Sequence, residues 1–186
     1  MFKSYLPAVA LVCATSAAHA GDAIYAFHWQ GASGYSVRGA MAIDDALMGH
    51  TIYETDVSCF VIDGMKDGVH LGRWQLGALG PDTTWRLHFD TVTEAFVVEG
   101  AGIRMPQAWN MNGSGDDCGA KGFGFNLGNV GQDICVNNTI VHESRVPPPT
   151  PFPATRIDSF DFPDGACRPP MLLGLVPLEA DDQGAS

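Results

Sequence analysis

The stretch Ala23-Ile24-Tyr25-Ala26-Phe27-His28-Trp29, residues 23–29, carries an aromatic ring at every second position from Tyr25 onward. A β-strand turns successive side chains to opposite faces, so Tyr25, Phe27 and Trp29 share one face. Trp85-Arg86-Leu87-His88-Phe89-Asp90 alternates more cleanly, which predicts Trp85, Leu87 and Phe89 inward and Arg86, His88 and Asp90 outward. Further strands are predicted over 35–43, 50–62, 68–76, 94–99, 122–127, 133–142 and 155–162. Turn formers punctuate them: Asp63-Gly64, Asp67-Gly68, Gly80-Pro81-Asp82 and Asn112-Gly113. Asp44 to Met48 is the one candidate helical turn, and no amphipathic helix of useful length is present. Many short strands with glycine-rich turns predict an all-β fold, an antiparallel β-sandwich of jelly-roll or immunoglobulin-like layout.

The N-terminus sets the expected compartment. Lys3 precedes an apolar run from Leu6 to Ala14, and Ala18-His19-Ala20 has the small-x-small form of a signal-peptidase site. Residues 1–20 therefore read as a signal peptide cleaved near Ala20, and the mature chain as secreted or periplasmic. The apolar run is short of the ~20 residues that span a bilayer. Cys13 leaves with this segment, and Ala14-Thr15-Ser16 does not give it a lipoprotein setting. The mature 166 residues (186 minus 20) suit a single domain, 21–170, followed by a tail, 171–186.

Without Lys3 the chain has 9 basic residues against 21 acidic ones, a net charge of −12. Such a chain repels nucleic acid and anionic membrane surfaces, so neither is an expected partner. The acids are scattered, as on a surface that keeps an exported protein in solution.

Four cysteines remain: Cys59, Cys118, Cys135 and Cys167. An even number in an oxidising compartment predicts two disulfides, with three pairings open. Cys118–Cys135 with Cys59–Cys167 is favoured, because 118–135 has turn signals near its middle and can fold back on itself. The two cysteines would then face each other across two strands, Gly122 to Leu127 and Asp133 to Asn138, which turn through Gly128-Asn129-Val130-Gly131. Phe123 and Phe125 share one face of that unit. The proline-rich stretch 146–153 cannot join a central sheet and is expected as a polyproline strap over the domain, since Cys167 beyond it returns the chain to the body. After it, Met171 to Leu178 is apolar but too short to cross a membrane, so no integral membrane association is expected.

Most catalytic patterns fail on spacing. Gly122-Phe123-Gly124-Phe125-Asn126-Leu127-Gly128 is GxGxxxG with no helix after it and no Lys-Ser/Thr, so it lacks the helix N-terminus that would hold a phosphate. His142-Glu143-Ser144-Arg145-Val146 lacks the second histidine of a zinc-protease helix. His50 and Glu54 share a strand face but lie about 13 Å apart along it, too far to share a metal. Gly31-Ala32-Ser33-Gly34 is one residue out from a nucleophile elbow and has no helix behind it. Glu54, Asp56, Glu94 and Glu99 are available as an acid/base pair, but no spacing selects one. No catalytic residue is assigned.

Two binding patterns remain. Asn110-Met111-Asn112-Gly113-Ser114-Gly115 imitates the start of an EF-hand loop, but its first residue is neutral and Lys121 stands where the bidentate Glu belongs. A looser calcium site from Asp116, Asp117 and Asp133 is the one cofactor expectation. Trp29 and Trp85 fall on the apolar phase of their strands and read as core. Trp109, flanked by amides in Gln107-Ala108-Trp109-Asn110-Met111-Asn112, is the predicted exposed binding residue, with Asn110 and Asn112 beside it.

The strand-turn run from Ile24 to Gly100 and the segment GFGFNLG at 122–128 resemble bacterial exported proteins of the PEP-CTERM exosortase-substrate type. The sorting tail of that group is missing, since no Pro-Glu-Pro, membrane helix or arginine cluster follows Pro170. The resemblance implies an exported sandwich and assigns no site. The expected function is a non-catalytic binding or structural module that meets a glycan or a cell-surface protein. The alternatives are a carbohydrate-binding module using Trp109 and, further off, a secreted glycan hydrolase.

Overall fold

A computed structural model describes residues 21–99 and 104–168. The expected signal peptide and the 171–186 tail lie outside the described residues. Those residues form thirteen strands: β1 (Asp22–Gln30), β2 (Tyr35–Asp44), β3 (Thr51–Tyr53), β4 (Val57–Lys66), β5 (Val69–Gln75), β6 (Trp85–Arg86), β7 (His88–Asp90), β8 (Ala95–Phe96), β9 (Gln107–Trp109), β10 (Phe123–Leu127), β11 (Gln132–Val136), β12 (Thr139–Val146) and β13 (Ala154–Ile157). A 3-10 turn spans Asp45–Leu47, where a helical turn was expected, and the Asp44 side chain caps it by accepting from the Ala46 amide at 2.9 Å. Among the described residues no helix is long and apolar enough to cross a membrane.

The strands make a disulfide-linked, all-antiparallel β-sandwich. The first sheet runs β13-β1-β2-β4-β5, the second β12-β11-β10-β9-β6, and a small third sheet runs β3-β7-β8. Each large sheet is mainly a meander of sequence neighbours, and β13 returns beside β1.

Period-two aromatics build the core. Tyr25, Phe27 and Trp29 are all buried, with Phe60, Ile62 and Trp74 on the same sheet and Trp109, Phe123, Phe125 and Leu127 on the facing one. Phe89 and Phe96 of the third sheet close one end, packing on Tyr25 and Phe27 at 4.8 and 4.9 Å between ring centroids. The Trp29 indole donates to Gln132 Oε1 at 2.7 Å, a hydrogen bond between the two large sheets inside the core.

Five predicted strands differ in extent, among them 94–99, which keeps strand pairing only at Ala95–Phe96. Residues 50–62 break at Glu54–Asp56, because β3 pairs with β7 while β4 pairs with β2. Residues 85–90 break at Leu87 for the same reason: β6 pairs with β9, and β7 with β3 and β8. Residues 133–142 fold into the β11–β12 hairpin through Asn137 and Asn138, whose φ values of 52° and 59° suit a primed two-residue turn. The 155–162 run keeps strand pairing only to Ile157.

The bonded pairs are Cys59–Cys167 and Cys118–Cys135. Against the expectation that the second joins two strands, Cys135 alone lies on the hairpin, opposite Gly124. Cys118 belongs instead to the preceding loop, which folds over the outer face of the second sheet. A Cβ at Gly124 would meet the Asn110 carbonyl at 2.5 Å, so glycine there lets the loop lie close. Met111, Cys118 and Cys135 form a small satellite core beneath that loop. The proline-rich stretch runs against the body: the Gln132 amide donates to the Pro148 and Thr150 carbonyls at 2.9 and 2.6 Å, and Phe152 is buried.

Candidate functional site

On β10 the residues alternate as expected, with Phe123, Phe125 and Leu127 facing the core and Gly124 and Asn126 facing outward. Outward polar residues of a sandwich ordinarily meet solvent. Here Asn126 and its cross-strand partner Asp133 are buried, because the disulfide-held loop covers this face. Asn126 Nδ2 donates to Asp133 Oδ1 at 3.1 Å. Arg145, reaching across from β12, donates from Nε to Asp133 Oδ2 at 2.8 Å, and its Nη2 lies 2.7 Å from the same oxygen. A Cβ at Gly131 would stand 2.6 Å from Arg145 Cγ, so the hairpin turn needs glycine there to seat the arginine stem.

Asn126 Oδ1 is buried and has no hydrogen-bond partner. A Cβ at either Gly113 or Gly128 would lie 3.6 Å from it, and Met105 side-chain atoms would lie 3.2–3.3 Å from the same two positions. Gly113 and Gly128 thus lie between the unpaired oxygen and the Met105 side chain, and all four residues line one cleft. Its volume is about 430 Å³, with Asn112, Ser114, Asn129 and His142 at its margin. A neighbouring cleft of about 270 Å³ shares Met105, Gly128 and Asn129.

Arg145→Met leaves the Asp133 carboxylate buried at 3% side-chain exposure without a countercharge. Removing one partner of such a pair is expected to cost about 3 kcal/mol, and adding Asp133→Asn to recover much of it. Urea unfolding of the three variants measures this. Additive losses would mean that the pair is not coupled.

Of the three predicted binding residues, only Asn112 reaches this cleft. Trp109 is fully buried, which corrects the expectation of an exposed ring: on β9 it points inward between Trp85 and Phe125. The amides around it serve the interior. Asn110 is buried and donates to the Cys118 and Phe123 carbonyls at 3.1 and 2.9 Å. Gln107 donates to the His88 and Val97 carbonyls at 2.7 and 3.0 Å. These hydrogen bonds tie strands and loop together in the interior.

Two of the three acids proposed for calcium are engaged with different partners, and the third is exposed. Asp117 accepts from the Thr84 hydroxyl at 2.9 Å and the Asn112 amide at 3.1 Å, Asp133 holds Arg145, and Asp116 is exposed. Among the described residues no group of three His, Cys, Asp or Glu side chains is placed to hold a metal ion. Two of the carboxyls considered for acid/base work are taken up by backbone: Glu54 accepts from the Leu87 amide and Asp56 from the Tyr53 amide. The 430 Å³ cleft contains one carboxylate, Asp133.

The outer face of the first sheet carries a second polar group. Asp63 accepts from Arg73 Nε and Nη2, both at 2.9 Å, and lies 2.9 Å from His70 Nε2. Burial pushes this carboxyl up, but the hydrogen bonds and charges of Arg73 and His70 outweigh it and hold it below the usual range. A depressed folded value stabilises the fold above the unfolded value of about 4, and that stabilisation is lost as pH falls through the folded value. Asp63→Asn should therefore be less stable than the parent at pH 6, with the difference shrinking below about pH 4. Thermal melts at both pH values measure this, and a gap that widened in acid would contradict it.

Comparison with family models, curated proteins and solved structures finds no match to this chain.

Proposed function

We propose that the protein is an exported, non-catalytic binding module whose ligand seats in the cleft on the outer face of the second sheet. The observation that supports this is the buried, unpartnered Asn126 Oδ1 beneath that cleft. A buried acceptor without a donor costs about 1–3 kcal/mol, so a sandwich built only for stability gains nothing from keeping it. Export fits the signal-like residues 1–20 and the two disulfides, which persist in oxidising compartments. The single carboxylate in the cleft is held by Arg145, whereas glycoside hydrolysis ordinarily uses two.

Expression with the native N-terminus should yield an exported product that begins at Gly21, read by N-terminal sequencing. Thermal-shift screening against neutral sugars, amino acids and inorganic anions should find a stabilising compound, alongside no turnover of chromogenic glycosides. Turnover, or cytoplasmic retention of the intact chain, contradicts the proposal.

A further inference from the structure

The chemistry of the cleft narrows its ligand, and we infer that it takes a neutral saccharide whose hydroxyl donates to Asn126 Oδ1. The inference rests on the binding-module reading and specifies its ligand class. The assignment of the amide is fixed by its neighbour: Nδ2 must face the Asp133 carboxylate, which only accepts, so Oδ1 is the atom left unpaired. What comes to it must be a donor.

Charge restricts the donor further. Asp133 and Arg145 offset each other within 2.7 Å, so the cleft has no unbalanced charge from this pair for an ion to match. A bare cation would meet Arg145, and an anion would meet the field of a chain with net charge −11. The margin supplies Asn112, Ser114 and Asn129, groups that both donate and accept, as hydroxyls do. Val130, 74% exposed at the hairpin tip, and Ile140 add apolar contacts suited to the C–H faces of a sugar ring. A volume of about 430 Å³ falls in the range of small-ligand clefts.

Met105 is the obstacle. Its flexible thioether packs beside Gly113, and its side chain beside Gly128, the two glycines nearest the oxygen, and Met105 lines both this cleft and its neighbour. Ligand entry requires this side chain to swing toward Pro106 and Pro148, which joins the two clefts into one groove.

The test is an NMR titration of the full isotope-labelled exported chain with maltotriose, cellotriose and xylotriose, and with glycine and inorganic phosphate as charged probes. At least one trisaccharide should shift the amides of Asn112–Ser114, Asn126, Gly128–Gly131 and Arg145. Asn126→Ala should weaken that binding at least tenfold, while Met105→Ala, which removes the obstacle, should tighten it several-fold. Asn129→Ala, at the exposed margin, gives a second loss of binding that does not disturb a buried residue. Shifts from the charged probes alone would overturn the saccharide and leave the binding module standing. Silence at these residues from every probe overturns both, as does saccharide binding that Asn126→Ala, Asn129→Ala and Met105→Ala all leave unchanged.

Discussion

Replacing Cys59 and Cys167 together with alanine is expected to lower the unfolding free energy by about 5 kcal/mol, on the chain-entropy estimate for a closed loop of ~100 residues. The two cysteines are 108 residues apart in sequence, so the bridge restricts most of the unfolded domain. It also fixes the last described segment onto the first sheet. Phe60 donates to the Ala166 carbonyl at 2.7 Å, Arg168 to the Ser58 carbonyl at 2.8 Å and Gly77 to the Gly165 carbonyl at 2.6 Å. Those bonds remain available to the variant, but without the bridge they must hold an untethered chain end. Because domains of this size are stable by about 5–15 kcal/mol, the variant should sit near the edge of folding at 37 °C. The Cys118–Cys135 pair is separated by only 17 residues, and its loss should cost less, about 3 kcal/mol. Its particular effect is on the cleft, since the loop it holds carries Asn112, Gly113 and Ser114. Guanidinium midpoints for the two double variants separate these effects. A loss for Cys59/Cys167 smaller than that for Cys118/Cys135 would contradict the argument.

Local chemistry is enough to read the hairpin of β10 and β11 from the sequence. Phe123 and Phe125 fall on one face, and the turn at Gly128-Asn129-Val130-Gly131 is closed by a hydrogen bond from the Gly128 amide to the Gly131 carbonyl at 3.0 Å. The aromatic alternation of β1 and the count of exported cysteines are equally local. The position at which a strand changes sheet is not. Leu87 lies in an unbroken alternating run, and only the competing partners β9 and β3 divide it into β6 and β7. The candidate site was hidden for the same reason. Asn126 and Asp133 carry the polar phase of their strands, which on a sandwich ordinarily meets solvent, and a loop held by a disulfide between cysteines 17 residues apart in sequence buries them. Arg145 stands in sequence only as part of a failed zinc-protease pattern beside a proline-rich stretch. It reaches Asp133 only because the Asn137-Asn138 turn brings β12 back along β11, with a register shift between Gln132 and Ile134.

Trp109→Ala is the other substitution expected to approach 5 kcal/mol, at the upper end for a buried aromatic. Its ring lies where all three sheets and the proline-rich strap meet. It contacts Phe27 and Phe60 of the first sheet at 5.6 and 5.0 Å, Phe125 of the second at 4.7 Å, Phe96 of the third at 5.1 Å and Phe152 of the strap at 5.7 Å. Truncation would leave a cavity that no single neighbour can fill, because each ring is fixed by its own sheet. Trp109→Phe should cost much less. It keeps most of the packing and removes an indole N–H that has no partner in the core. Far-UV circular dichroism during chemical unfolding measures both without relying on tryptophan emission. The same pair of variants separates the two roles that amide-flanked Trp109 suggests. A core residue predicts a large loss for alanine, a small one for phenylalanine, and for phenylalanine unchanged saccharide affinity, since the Asn126 cleft lies on the opposite face of the second sheet. An exposed binding platform predicts the reverse: normal stability for Trp109→Ala, and binding lost.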